Sequence, residues 1–274
     1  MSVNLTKLVG SRRPLIMGVL NVTPDSFSDG GKYDNLKQAV WRAKQLIDQG
    51  VDIIDIGGES TGPNSKAVSY QEEARRVLPV ISEINKKIKK RSKILISVDT
   101  YKSEIAKRAL ASGADIINDV TGLRGDVNMA KVVAEYNCPV VIMYSKDNTA
   151  RTTIKKMQYR NVVKTINNFF TARIRYASKN SVAKKNIILD PGMGHFISAV
   201  PAYSYEVISR LNEFKKLGCQ VMLGMSRKSF LGGELNERDQ KVLPLLAVAY
   251  FNGVSIIRTH DVLGTIKFYN LLNK

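Results

Sequence analysis

Polar and charged residues directly follow short apolar runs along this chain, and they fall into two groups. Asp55, Glu59, Ser60 and Thr61 follow one run, Asp99 follows Ile94-Leu95-Ile96-Ser97-Val98, Asn118 and Asp119 follow a third, and Asp190 sits in Ile188-Leu189-Asp190-Pro191-Gly192. The cations come later, in Ser226-Arg227-Lys228-Ser229 and Arg258-Thr259-His260-Asp261, while Asn21, Thr23, Asp25 and Ser26 follow the first run. A substrate with a phosphate at one end and a donor-rich, amide- or guanidine-like head at the other matches that polarity. No Ser-His-Asp set, H-E-x-x-H or phosphate-binding P-loop is present. The chemistry implied is therefore not covalent catalysis. It is the positioning of two molecules and the stabilisation of departing charge.

Each residue also has a plainer role. Asp55 and Asp119 are equally readable as caps of loops or helices. Asp99 and Asp190 end apolar runs, where a carboxylate has little water and must be hydrogen-bonded or functional; function is the better reading. His260, one of two histidines, gains an anion-site reading from Arg258 beside it. Lys228 is readable as a surface lysine, but it is expected to open a helix, where its charge opposes the dipole and calls for a bound anion; capping that helix is the plainer role of Ser229.

The elements that must position these groups are eight β-branched apolar runs: Ile16–Val22, Ile53–Gly57, Ile94–Thr100, Ile116–Val120, Val140–Tyr144, Ile187–Asp190, Val221–Met225 and Ser255–Thr259. Between them, apolar spacings of three and four predict helices over Leu36–Gln49, Tyr70–Ile88, Lys102–Ser112, Met129–Tyr136, Arg160–Ser178, Tyr203–Leu217, Leu243–Asn252 and Leu263–Leu272. Continuous apolar strands alternating with helices imply a parallel sheet covered on both faces. Eight such units fit a (β/α)8 TIM barrel better than an open doubly wound sheet, and no G-x-G-x-x-G opens the first helix. The ends of the strands are where such barrels keep their chemistry, with phosphate commonly at the seventh and eighth. Without a linker-like break, residues 1–274 read as one domain.

Composition narrows the class. The chain of 274 residues carries 42 Lys+Arg against 24 Asp+Glu, a net charge of +18, with 44% hydrophobic residues, an ordinary globular balance. The lysines are spread along the chain, and the densest run, Lys86-Lys87-Ile88-Lys89-Lys90-Arg91, falls where a helix should end. A solvated surface is thus favoured over a nucleic-acid site. No apolar run is long enough for a membrane span, and Leu15–Leu20 is too short for a signal peptide. Cys138 and Cys219 show no CxxC spacing, which points to the reduced cytoplasm.

Seven segments, in order, resemble the signatures of the dihydropteroate synthases. They are Asn21-Val22-Thr23-Pro24-Asp25-Ser26-Phe27-Ser28-Asp29-Gly30-Gly31, Asp55-Ile56-Gly57-Gly58-Glu59-Ser60-Thr61, Ser97-Val98-Asp99-Thr100, Ile117-Asn118-Asp119-Val120, Leu189-Asp190-Pro191-Gly192, Gly224-Met225-Ser226-Arg227-Lys228-Ser229 and Arg258-Thr259-His260-Asp261-Val262. The resemblance implies a (β/α)8 barrel that joins 6-hydroxymethyl-7,8-dihydropterin pyrophosphate to p-aminobenzoate, releasing pyrophosphate and giving 7,8-dihydropteroate for folate synthesis. It implies that Asp99, Asn118, Asp190 and Lys228 hold the pterin, with Met143 and Gly224 lining its slot. Asn21 would ligate Mg²⁺, and Arg258, His260 and Thr61 would hold the pyrophosphate. Phe27, Pro63 and Ser229 would border p-aminobenzoate. A cytoplasmic homodimer acting on small molecules, inhibited by sulfonamides, completes the expectation.

The pattern has departures. Gly62 stands where the family usually carries Arg after Ser-Thr; Met193-Gly194-His195-Phe196-Ile197 replaces a usual Phe-Gly-Phe-Gly-Lys; Tyr144 replaces a usual His. These bear on the p-aminobenzoate side, and the second resembles sulfonamide-resistant members. Two other readings compete: a pterin-binding barrel that transfers a methyl group from methyltetrahydrofolate, which needs neither Lys228 with Ser229 nor Arg258 with His260, and a basic nucleic-acid-binding protein supported by charge alone.

Overall fold

A computed structural model describes residues 13–23, 32–89 and 92–272. Its strands are β1 (Leu15–Asn21), β2 (Ile53–Gly57), β3 (Leu95–Asp99), β4 (Ile116–Asp119), β5 (Val140–Met143), β6 (Ile187–Asp190), β7 (Gln220–Leu223) and β8 (Ile256–Thr259). Each pairs in parallel with the next, and β1 pairs with β8, closing the barrel. The helices are α1 (Lys32–Asp48), α2 (Tyr70–Lys87), α3 (Ser103–Ala111), α4 (Met129–Tyr136), α5 (Val162–Lys179), α6 (Pro201–Ser209), α7 (Asn212–Lys215), α8 (Leu235–Phe251) and α9 (Val262–Leu272). The (β/α)8 expectation is met.

Periodicity explains how the barrel makes a site. Leu15, Met17, Ile53, Ile116, Val141, Ile188, Met222 and Ile256, with Leu95 packed on them, form an apolar cluster fed by every strand and separate from the outer core under the helices. Successive side chains on a strand alternate faces, so the next inward position lies two residues on. There the residues become Asp55, Ser97, Asn118, Met143, Asp190, Gly224 and Arg258; two further along come Asn21, Gly57, Asp99, Val120 and His260. Each plug residue contributes roughly 1.5–3 kcal/mol by leaving water, and that buried layer lets the mouth above it hold desolvated charge.

The helices form for ordinary reasons. In α2, Ser69 Oγ accepts from the Glu72 N–H at 3.2 Å, Glu72 and Glu73 occupy the first turn, and Lys86 and Lys87 the last. Lys86 and Lys87 of the Lys-rich run thus do lie at a helix end, while Lys90 and Arg91 fall outside the described residues. Two expected helices differ. Tyr203–Leu217 is broken into α6 and α7, and the Arg210 side chain bonds both Glu206 and Glu213 across the break. The segment expected as a helix from Lys228 is a three-residue 3₁₀ turn, Ser229–Leu231, ending at Gly232 and Gly233 in positive-φ conformations; α8 starts only at Leu235. Consecutive glycines there favour a turn over helix propagation.

Candidate active site

Arg258 organises the mouth. Its Nε donates to Asp55 Oδ2 at 2.7 Å and its Nη2 to Asp99 Oδ2 at 2.9 Å, so one guanidinium from β8 ties β2 to β3. Asn118 Nδ2 donates to the same Asp55 oxygen at 3.0 Å. Asp55 is fully buried, while the Asp99 side chain keeps 21% of its surface exposed. Asp55 was readable as a cap; it is instead the buried carboxylate that aims Arg258 and Asn118. Asp119 follows the plainer reading: its carboxylate takes the Thr121 N–H, the Thr121 hydroxyl and the Leu123 N–H.

One small cavity, about 50 Å³, gathers Asp99, Asn118, Asp190, Lys228, Arg258, Thr61, Met143 and Gly224. Asp190 Oδ1 accepts from the Gly192 N–H at 2.8 Å, which leaves Oδ2 for a ligand. Gly192 has φ +68°, and a Cβ there would stand 2.5 Å from the Tyr144 carbonyl oxygen, so this turn of the wall requires glycine. The Lys228 ammonium lies 4.7 Å from the centre of the Phe196 ring, a cation–π contact that fixes it over the cavity. Two carboxylates, an amide and an ammonium around one slot complement a flat head with adjacent N–H donors and an acceptor.

The electrostatics follow from burial. It is the main cause that raises Asp99 to about 7, with Arg258 pulling down and Asp55 pushing up. It likewise raises Asp190 to about 6, against the Gly192 N–H and the nearby cations. Lys228 is lowered to about 8 by burial and then by Arg258, with Asp190 and Asp99 opposing. His260 falls to about 3 through burial, then Arg258, Arg227 and Lys228, so it is neutral at pH 7. Its Nδ1 is 3.1 Å from Ser226 Oγ; with that hydroxyl donating, Nε2–H faces outward as a donor.

Asn21 and His260 do not line this cavity. They line a neighbouring cleft, with Asn21 exposed at the end of β1. Pro63 and Ser229 stand outside both linings, and Phe27 lies outside the described residues. Since no helix starts at Ser229, a dipole cannot supply the anion site expected there; Lys228 is charged by its side chain and balanced by Asp190 and Asp99 instead.

Some contributors were not singled out. Val120, Gly192, Met193 and Phe196 also line the slot. Met193 and Phe196 belong to the segment that departs from the family pattern, so the departure reaches the cavity of Asp99, Asn118, Asp190 and Lys228. Glu59, named above with Asp55, is 3% exposed and joins the loops by taking Lys102, Tyr101 and Arg151, and Thr152 N–H donates to Thr61 O at 3.2 Å. The loop after β5 is thereby latched onto the loop after β2.

Comparison with known proteins fits this geometry. The pterin binding enzyme family matches residues 17–260. This chain belongs to that family. Among the pterin binding enzymes it is 41% identical over 256 residues to the dihydropteroate synthase of Clostridium beijerinckii, covering 92% of this chain and 90% of that one. It is 42% identical over 262 residues to that of Streptococcus pyogenes serotype M3, 93% of each. A solved Xanthomonas albilineans dihydropteroate synthase with 4-aminobenzoic acid superposes with a TM-score of 0.86 at 34% identity, covering 95% of this chain and 92% of that one. As a pterin binding enzyme of the dihydropteroate synthase branch it is a transferase of folate biosynthesis. The methyl-transfer and nucleic-acid readings give way to this one. Among the described residues no helix is long and apolar enough to cross a membrane.

Proposed function

We propose that this chain condenses 6-hydroxymethyl-7,8-dihydropterin pyrophosphate with p-aminobenzoate through the residues of the Asp99–Lys228 cavity. The convergence of Asp99, Asn118, Asp190, Lys228 and Arg258 on one slot carries the assignment of roles. Asp190, Asn118 and Asp99 accept and donate along the pterin's amide and amino edge, and Lys228 donates to its acceptor side, between the walls of Met143 and Gly224. The bond from the pterin methylene to oxygen breaks first, and its electron pair leaves with diphosphate. The Asp99 and Asp190 carboxylates offset the pterin cation, and the arylamine nitrogen then bonds to the methylene and sheds a proton.

Arg258, the neutral His260 and Thr61 receive the diphosphate. Asn21 fits a Mg²⁺ held mainly by that diphosphate and water, which is how this ion is commonly bound. The fit rests on the cradle beside Gly57, where a Cβ would lie 3.5 Å from Asp99 Cβ and 3.8 Å from Asn21 Oδ1. Among the described residues no group of three His, Cys, Asp or Glu competes as a metal cage. When bound, the ion supplies neutralisation of the leaving group. Phe27, Pro63 and Ser229 border the p-aminobenzoate side.

Incubating the protein with both substrates and Mg²⁺ and assaying dihydropteroate tests the reading; no product from folded protein overturns it. A homodimer is part of the proposal, supported by the exposed Val248 and Phe251 of α8 and Leu263 and Leu271 of α9; light scattering checks it. The two free, buried thiols suit a cytoplasmic setting.

A further inference from the structure

Beside the slot, between β1, α1 and the loops after β7 and β8, lies the second cleft, about 430 Å³ and lined by Asn21, Gln38, Trp41, Arg42, Arg227 and His260. Its size suits a small ligand, and the pterin roles above do not use most of it. Helix α1 presents Gln38, Trp41, Arg42 and Gln45 at spacings of three and four, one face of the helix, while Ala39, Ala43 and Leu46 pack into the core. Trp41, the only tryptophan of the chain, is 61% exposed on that face.

The cleft is positive. Arg42 donates to the neutral Gln45 amide at 3.0 Å and has no carboxylate partner among the described residues. Arg227, held at φ +61°, meets Asp239 only at 3.3 Å, with its side chain 43% exposed. Among the described residues that line it, none is acidic. The field is felt next door, where Arg227 is among the cations that hold His260 unprotonated. Asn21 and His260 form the rim shared with the reacting position, and His260 lies two residues beyond Arg258 on the same strand end.

We propose that this cleft is a second diphosphate subsite, in which Arg42 and Arg227 take the diphosphate as it leaves the reacting position and the Trp41 indole walls the outer side. As an exit site it rests on the reading that this enzyme releases diphosphate; its anion chemistry stands without turnover. A diphosphate group has two sources, the inorganic product and a nucleoside diphosphate whose base would lie on the indole.

The test uses the sole tryptophan. Wild-type protein is titrated with sodium pyrophosphate at constant ionic strength, with and without Mg²⁺, following Trp41 fluorescence, and the titration is repeated with Arg42→Gln and Arg42→Lys. The expected result is a saturable change whose Kd weakens at least ~10-fold in Arg42→Gln, the scale of a lost charge-assisted hydrogen bond, and partly recovers in Arg42→Lys. Binding of a phosphate-free pterin, followed by calorimetry, stays as in wild type. An ADP titration separates the sources: a tighter Kd than pyrophosphate assigns the cleft to a nucleotide's diphosphate, and a weaker one to the inorganic product. A fluorescence signal that pyrophosphate does not move, or an unchanged pyrophosphate Kd in Arg42→Gln, overturns the subsite even if dihydropteroate is made. Saturable, Arg42-dependent binding without dihydropteroate keeps the subsite and overturns the reaction instead.

Discussion

Asp55 and Arg258 are 203 residues apart in the chain and 2.7 Å apart in the barrel. The pair sits above the apolar plug, where Asp55 has no water to fall back on. Removing one partner of a buried pair strands the other, at a cost of about 3–5 kcal/mol. Arg258→Ala is therefore expected to lower stability in urea titrations by that order, beyond its effect on diphosphate. It also frees Asp99 from its orientation, so a phosphate-free pterin should bind more weakly too. Full stability in Arg258→Ala would show that Asp55 finds another partner.

Asp99→Asn separates chemistry from fold. The side chain belongs to the mouth rather than the plug, and burial already disfavours its charge, so stability to unfolding should change little. The carboxylate that offsets the pterin cation is lost, and kcat/KM should fall at least ~10²-fold. Near-normal turnover in the folded variant would remove Asp99 from the mechanism.

Pterin affinity should be bell-shaped in pH. Asp190 must be ionised to accept the pterin N–H groups, and burial has raised it to about 6, so binding weakens as pH falls through that value. Lys228 must be protonated to donate, and burial has lowered it to about 8, so binding weakens again as pH rises past it. Calorimetric Kd values for a phosphate-free pterin from pH 5 to 9, an interval set about these two values, check both limbs; Asp190→Asn should leave an acid limb set by Asp99 alone, which burial has raised to about 7.

Gly62 leaves room for what the family usually carries. It is not in the left-handed region, and among the described residues a Cβ there would meet only Ser60 Oγ, at 3.7 Å. Gly62→Arg should therefore fold normally and lower the p-aminobenzoate KM modestly, about 2–5-fold, from a screened charge and a stiffer loop. Sulfonamides should compete with p-aminobenzoate in the wild-type protein, because rejecting the larger analogue needs an added obstruction that the described residues of these loops do not present. A sulfonamide that fails to compete far above the substrate KM would locate such an obstruction, with Met193–Phe196 the first place to look.

The barrel was legible because its strands are buried on both sides and so read as continuous β-branched runs, and because polar residues end them in step. What the chain could not announce is pairing across the closed ring. Asp55 looked like a cap, since its partners Arg258 and Asn118 come from strands far along the chain. Asp119, of the same residue type in the same kind of position, is satisfied by its own loop. The Lys228 helix failed for a local reason, the two positive-φ glycines after Leu231, which favour a turn. Met193 and Phe196 were missed as slot residues because their place depends on the turn at Gly192, not on periodicity.

The seam between β1 and β8, where Leu15 meets Ile256 and Met17 meets Arg258, sets the order in which this enzyme can come into being. Contacts between the two ends of a chain are the slowest to form, since the loop they close is the longest. During synthesis the first seven strands emerge with β1 an open edge and with Asp55 and Asp99 lacking their counter-charge. Only the eighth strand covers that edge and neutralises those carboxylates, both in one event. A shortened chain that stops before Ile256 therefore has neither a ring nor the Arg258 guanidinium that joins Asp55 to Asp99, and partial activity from such a fragment is not available to this architecture.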